Sequence, residues 1–147
     1  MGDDHSVSLL INTLRIIVIT FLQTAERFDP RERSWATIRS MSTRRGCHTL
    51  TVLDGKLYAV DGATMVRSTE IYDPRLATWM VGEPMELARG YSAAAVLQDS
   101  IYEIGGVKSN EKIVDVIECY KPGVGWKTLN LKGVGRRTAY SHSSFDR

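Results

Sequence analysis

The chain repeats itself at an interval of 44 residues. Glu26-Arg27-Phe28-Asp29-Pro30, followed by Trp35, returns as Glu70-Ile71-Tyr72-Asp73-Pro74, followed by Trp79. The same offset carries Met41 onto Met85, Arg45 onto Arg89, Gly46 onto Gly90, Leu57-Tyr58 onto Ile101-Tyr102 and Gly62 onto Gly106. A third copy is slightly stretched: Glu118-Cys119-Tyr120-Lys121-Pro122 lies 48 residues beyond Glu70, Trp126 lies 47 beyond Trp79, and Arg137 lies 48 beyond Arg89. A fixed period of this size marks an array of small units, each of which buries its apolar faces only against its neighbours.

Within one unit the pattern is that of strands. Residues 47–53 are rich in Thr and Val, residues 56–60 form a second short apolar run, and Asp54-Gly55 between them is a hairpin turn signal. Asp61-Gly62 ends that run, 68–72 reads as a third strand, Asp73-Pro74 forces a turn, and 78–81 around Trp79 reads as a fourth. The next copy repeats the order through 92–97, 101–104, Gly105-Gly106, 114–120 and 126–129. No stretch of ten residues carries helical periodicity. Four short strands per repeat describe one blade of a propeller.

Ile101-Tyr102-Glu103-Ile104-Gly105-Gly106, then Tyr120, then Trp126, with Arg89-Gly90 as a basic lead-in, resembles the kelch motif, and the resemblance covers residues 26 to 140. Gly62, Tyr72 and Trp79 repeat the signature one unit earlier, and Trp35 marks a unit before that. Asp61 stands where the first glycine of the pair belongs. The fold expected is all-β, a partial kelch-type β-propeller with about two complete four-stranded blades and partial blades at each end. Residues 44–83 and 84–131 are the two repeats, 26–43 the end of a partial blade, and 132–147 the start of a further one. Closed propellers have roughly four to eight blades, so the open strand sets are expected to belong to a larger propeller or to be covered by association.

Nineteen basic and seventeen acidic residues leave a formal charge of +2, with no basic run longer than Arg44-Arg45 or Arg136-Arg137. Nucleic acid is not implied. Cys47 and Cys119 occupy different places in their repeats and do not read as a disulfide framework. Two free thiols fit a reducing compartment, cytosol or nucleus.

Residues 7–22 are the most apolar part of the chain and admit three readings. A membrane span is opposed by its length of sixteen residues and by Asn12 and Arg15 near its middle. A secretory signal is opposed by the acidic start Gly2-Asp3-Asp4. The third reading, which we favour, is that the segment replaces the first two strands of a blade: the 44-residue offset lands 57–62 on 13–18, without the glycines, so 1–25 is diverged from or foreign to the repeat. Met1-Gly2 with Ser6 also meets the bare myristoylation pattern, a weak signal beside two aspartates.

His48 and His142 are the only groups that invite a catalytic reading, and neither recurs in other repeats. No triad or metal-ligand spacing surrounds them, so no catalytic residue, metal or cofactor is assigned. A copper oxidase of the galactose-oxidase type shares the architecture, but its ligand set is not found here, and fold does not confer activity. Arg45, Arg89 and Arg137 hold equivalent positions, with Arg44 and Arg136 just before two of them. In kelch-type receptors the basic residue at this position commonly faces the partner, and a ring of arginines suits an acidic peptide. The alternative is that each arginine pairs with a glutamate of a neighbouring blade, such as Glu26, Glu70 or Glu118. The segment between Gly106 and Glu118, with its loop at 107–113, is four residues longer than that between Gly62 and Glu70, with its loop at 63–67, which nominates Lys108, Asn110 and Lys112 as further contacts. Trp35, Trp79 and Trp126, with Tyr58, Tyr72, Tyr102 and Tyr120, read as packing between blades.

The function expected is protein binding, with a partner of unknown identity and self-association over the open blade faces. Kelch proteins couple propellers to BTB or F-box modules that recruit a ubiquitin ligase, or to plant development-and-cell-death domains, and this chain looks most like the last group and the BTB type. The competing classes are a membrane-tethered or secreted β-domain built on 7–22, and a fragment without function of its own.

Overall fold

The computed structural model describes residues 7–11, 14–18, 23–62 and 67–130, and every regular element among them is a strand. A first sheet runs β1 (Val7–Ile11), β2 (Leu14–Val18), β3 (Ala25–Asp29) and β4 (Ser34–Ile38). The second runs β5 (Thr49–Leu53), β6 (Lys56–Val60), β7 (Thr69–Asp73) and β8 (Thr78–Val81). The third runs β9 (Ala93–Leu97), β10 (Ser100–Ile104), β11 (Ile117–Lys121) and β12 (Gly125–Leu129). Each sheet is an antiparallel meander, and β5 lies against both β1 and β9, so the first strands of the three sheets are neighbours.

Local chemistry explains the turns. Asp54 and Gly55 both take left-handed backbone, at φ 50° and 70°, the conformation that lets a two-residue loop follow the twist of its strands. The carboxylates of Asp29 and Asp73 accept the amides of Arg31 and Arg75 at 2.8 and 2.9 Å, closing the Asp-Pro turns. Gly106 has φ 94°, and a Cβ there would stand 2.8 Å from the carbonyl oxygen of Gly90. That close approach is used: Gly90 and Val107 exchange both backbone hydrogen bonds.

Strands β1 and β2 supply the inner pair of the first sheet, so the blade that ends at 26–43 has four strands among the described residues. The register differs in one respect from the 44-residue offset. Arg15 lies across from Phe28, whereas Leu57 and Ile101 lie across from Tyr72 and Tyr120, which places β2 two residues later than the repeat predicts. No helix among the described residues is long and apolar enough to cross a membrane. Residues 1–6, including the Met1-Gly2 pattern, lie outside the described residues.

Two apolar clusters hold the sheets together. Strand β6 contributes to both, because alternate residues of a strand point to opposite faces. Leu57 and Ala59 join Ala25, Met41, Leu50 and Tyr72 toward the first sheet. Tyr58 and Val60 join Met85, Ile101, Tyr120 and Trp126 toward the third. Each blade repeats one tilted aromatic pair, Phe28–Trp35 at 5.0 Å, Tyr72–Trp79 at 5.2 Å and Tyr120–Trp126 at 5.2 Å. Trp79 donates its indole N–H to the carbonyl of Arg39, and Trp126 donates its own to Thr69 Oγ1, each in the preceding sheet or its exit. Trp35 departs from the packing role expected of it and is 42 % exposed, since no sheet among the described residues lies outside the first.

Candidate functional site

The repeated arginines lie inside the blades. Arg45 and Arg89 are both 0 % exposed, each at the end of the link that brings the chain from one blade's outer strand to the next blade's inner strand. Arg45 donates through Nη1 to the carbonyls of Asp61, at 2.7 Å, and Ser68, at 2.9 Å, and through Nη2 to Ser68 Oγ and Glu70. Arg89 repeats this one unit on, donating to the carbonyls of Gly105, at 2.9 Å, and Val116, at 3.3 Å, and pairing with Glu118. Glu70 also accepts the amides of Ser42 and Thr43 and the Ser42 hydroxyl. Glu118 accepts the amides of Glu86 and Leu87. One clasp therefore ties the incoming link, the strand exit and the start of the third strand.

This geometry corrects the reading of Arg45 and Arg89 as an exposed ring. Both terminal nitrogens of each guanidinium donate to groups of its own blade and each Nε is buried, so the planar fork is not open to an outside carboxylate. Burial pushes the Glu70 carboxyl up, but the amide and hydroxyl of Ser42, the Arg45 charge and the Thr43 amide outweigh it, and its pKa lies below the ordinary value. Arg136, Arg137 and His142 lie outside the described residues. Sequence reasoning named the glutamates but missed the link amides that complete each clasp. A backbone donor leaves no mark in residue identity.

The free charges lie around these clasps. Because Thr49 pairs with Val60 and Val60 with Thr69, the links, the glycine turns and the loops between second and third strands all gather at one end of the sheets. Arg44, Asn110 and Lys112 are exposed there and Lys108 is half-buried. The 107–113 loop is a shaped element: Lys108 N–H donates to Lys112, Glu111 N–H to Lys108, and Val107 bridges to Ile113. Its shorter counterpart at 63–66 lies outside the described residues. The signature glycines Gly62, Gly105 and Gly106 are buried at the same end, beneath the loops they permit.

His48 sits at the start of β5 and is buried with no hydrogen-bond partner on either ring nitrogen. Burial first, and the Arg45 charge second, push its pKa down to about 4, so it is neutral near pH 7. Cys47 and Cys119 are free thiols. Among the described residues no three His, Cys, Asp or Glu side chains are grouped so as to hold a metal ion.

Three four-stranded meanders whose inner strands adjoin and whose links are clasped by a buried arginine are blades of a β-propeller. A family model for the kelch motif matches residues 88–124, the span of the third blade's lead-in and first three strands. The third blade carries a kelch motif, and the chain has the fold of a propeller fragment. Among solved structures, one titled "Structure of YjhT" is similar with a TM-score of 0.78 and 12 % sequence identity, over 92 % of this chain and 53 % of that one. The chain thus spans about half the length of that relative, and at such identity the likeness concerns the fold alone. No curated protein matches the chain.

Proposed function

We propose that this chain is a protein-recognition module of kelch type, without catalysis of its own, that binds its partner through the loop end of the blades. The observation that carries this is the division of charge at that end: Arg45 and Arg89 are consumed inside the fold, while Arg44, Lys108 and Lys112 surround them with charged side chains left for a partner, beside the exposed Asn110. An acidic peptide or loop is the complement, in the cytosol or nucleus, and a role as the receptor part of a ubiquitin-ligase adaptor is the finer form of the same reading. The test compares partner capture by crosslinking for the parent, for Arg44→Glu/Lys108→Glu/Lys112→Glu, and for Arg31→Glu/Arg75→Glu at the opposite turns. The first variant should weaken capture about tenfold, about 1.4 kcal/mol, and the second should leave it unchanged. Equal capture by all three rejects the loop end as the binding face.

The outer faces support a second reading, that two copies of the chain complete one another. Leu97, the equivalent of Leu53, is 63 % exposed where Leu53 is 4 %, and Trp35 is 42 % exposed where Trp126 is 7 %. One face offers the acceptor half of a blade contact and the other offers the aromatic half, which is the pairing seen between the second and third sheets. Light scattering on the purified chain is expected to give a discrete multiple of 16.5 kDa with one sharp unfolding transition. A monomer, or a mixture of sizes without a cooperative transition, excludes this pairing.

A further inference from the structure

Two acidic side chains that belong to neither clasp meet at the contact between the second and third sheets. Asp61 follows β6 and Glu103 lies in β10, and each is 0 % exposed. The Ser92 hydroxyl lies in hydrogen-bond contact with Asp61 Oδ2 and with Glu103 Oε1, and Thr49 Oγ1 donates to Glu103 Oε1 at 2.8 Å. Asp61 Oδ1 and Glu103 Oε2 are left without any donor. The proton count is short: Ser92 has one hydroxyl hydrogen for two carboxyls, and Thr49 serves only one of them.

We propose that Asp61 and Glu103 hold one proton between them, and that this proton joins the second blade to the third. Two ionised carboxylates in a buried site repel each other and lose their hydration, so one of them takes up a proton. The groups facing the pair do not supply the missing charge. Arg89 influences both carboxyls and Arg45 influences Asp61, yet their ion-pair partners are Glu118 and Glu70. His48, on the lead-in to β5, is neutral. Burial first, and the charge of Glu103 second, raise the Asp61 carboxyl well above its ordinary value, and burial raises Glu103 as well. The backbone points the same way: Asp61 keeps left-handed geometry, φ 55°, where the next repeat has Gly105. A non-glycine residue there is strained and persists only where its surroundings hold it.

The sign follows from linkage. A carboxyl raised in the folded state contributes stability that is fully present below the unfolded value, near 4, and is lost as pH rises through the folded value. His48, lowered to about 4, acts oppositely, losing stability as pH falls from about 6.5. Urea unfolding is therefore read from pH 5 to 9 in the parent, in His48→Ser, in Asp61→Asn and in Glu103→Gln, beside carbon-13 NMR titration of the carboxyls in the parent. The unfolding constant of the parent and of His48→Ser should rise by up to tenfold per pH unit across the window in which the proton leaves. The two carboxamide variants should rise less steeply there, because each removes the repulsion between the carboxyls and leaves burial alone to hold a proton. One carboxyl should titrate well above the ordinary carboxylate range in the NMR experiment, which needs no variant to fold. The proposal is overturned if both carboxyls titrate in the ordinary carboxylate range, or if Asp61→Asn and Glu103→Gln rise as steeply as the parent. It is equally overturned if added calcium or magnesium stabilises the parent and not Asp61→Asn, since the pair would then hold a cation.

Discussion

Arg89→Ala is expected to destabilise the chain by about 3–5 kcal/mol, the usual cost of removing one partner of a buried ion pair. The loss is large because Glu118 would stay at 0 % exposure with only the amides of Glu86 and Leu87, and the carbonyls of Gly105 and Val116 would lose their donor. Arg45→Ala should cost less. Glu70 retains the Ser42 amide, the Ser42 hydroxyl and the Thr43 amide, so its charge is better served when the guanidinium goes. Against a typical domain stability of about 5–15 kcal/mol, the first change brings the chain near unfolding. Denaturant titration of both variants measures the order. A cost below about 1 kcal/mol for Arg89→Ala would mean that the clasp adds little to what the apolar clusters hold.

The three tryptophans form a graded series at one repeat position. Trp126→Ala should cost about 3–5 kcal/mol, since the ring is 7 % exposed, packs in the cluster between the second and third sheets and donates to the buried Thr69 hydroxyl. Trp79, half-buried at the first contact, should cost roughly half as much. Trp35 stands apart because its exposure is 42 % within one chain. Trp35→Ala should therefore cost little in one chain, where the ring packs on Phe28, and more where a second copy covers it, so its effect should grow with protein concentration. Thermal unfolding of the three variants at two concentrations decides this. Equal losses at all three positions would contradict the series.

Much of the architecture could be read before any coordinate. Asp54-Gly55 and the Asp-Pro pairs carry the turn chemistry within two or three residues, and the alternation in Leu57, Tyr58, Ala59 and Val60 records a strand with both faces covered. The inner strands of the first blade were harder to place. With no glycine pair at 17–18, the 44-residue offset alone had to locate β2, and the register lies two residues away from it. The arginines were legible as a repeated position but not as a role. Equivalence along a repeat says that three side chains do the same thing, and is silent on whether they face a partner or a glutamate.

The 44-residue period, the four strands per unit, the turns and the inter-blade aromatics were determined by the sequence alone, because each rests on spacing and local conformational preference. The inward turn of Arg45 and Arg89, the amides that complete their clasps, and the meeting of Asp61 with Glu103 were decided only by the tertiary structure. Asp61 aligns with a glycine of the next repeat, and Glu103 aligns with Ala59 of the previous one. Neither is a repeat feature, and they share a site because adjacent blades place the exit of one second strand beside the middle of the next. Burial then removes the water that would have kept both carboxyls charged and independent.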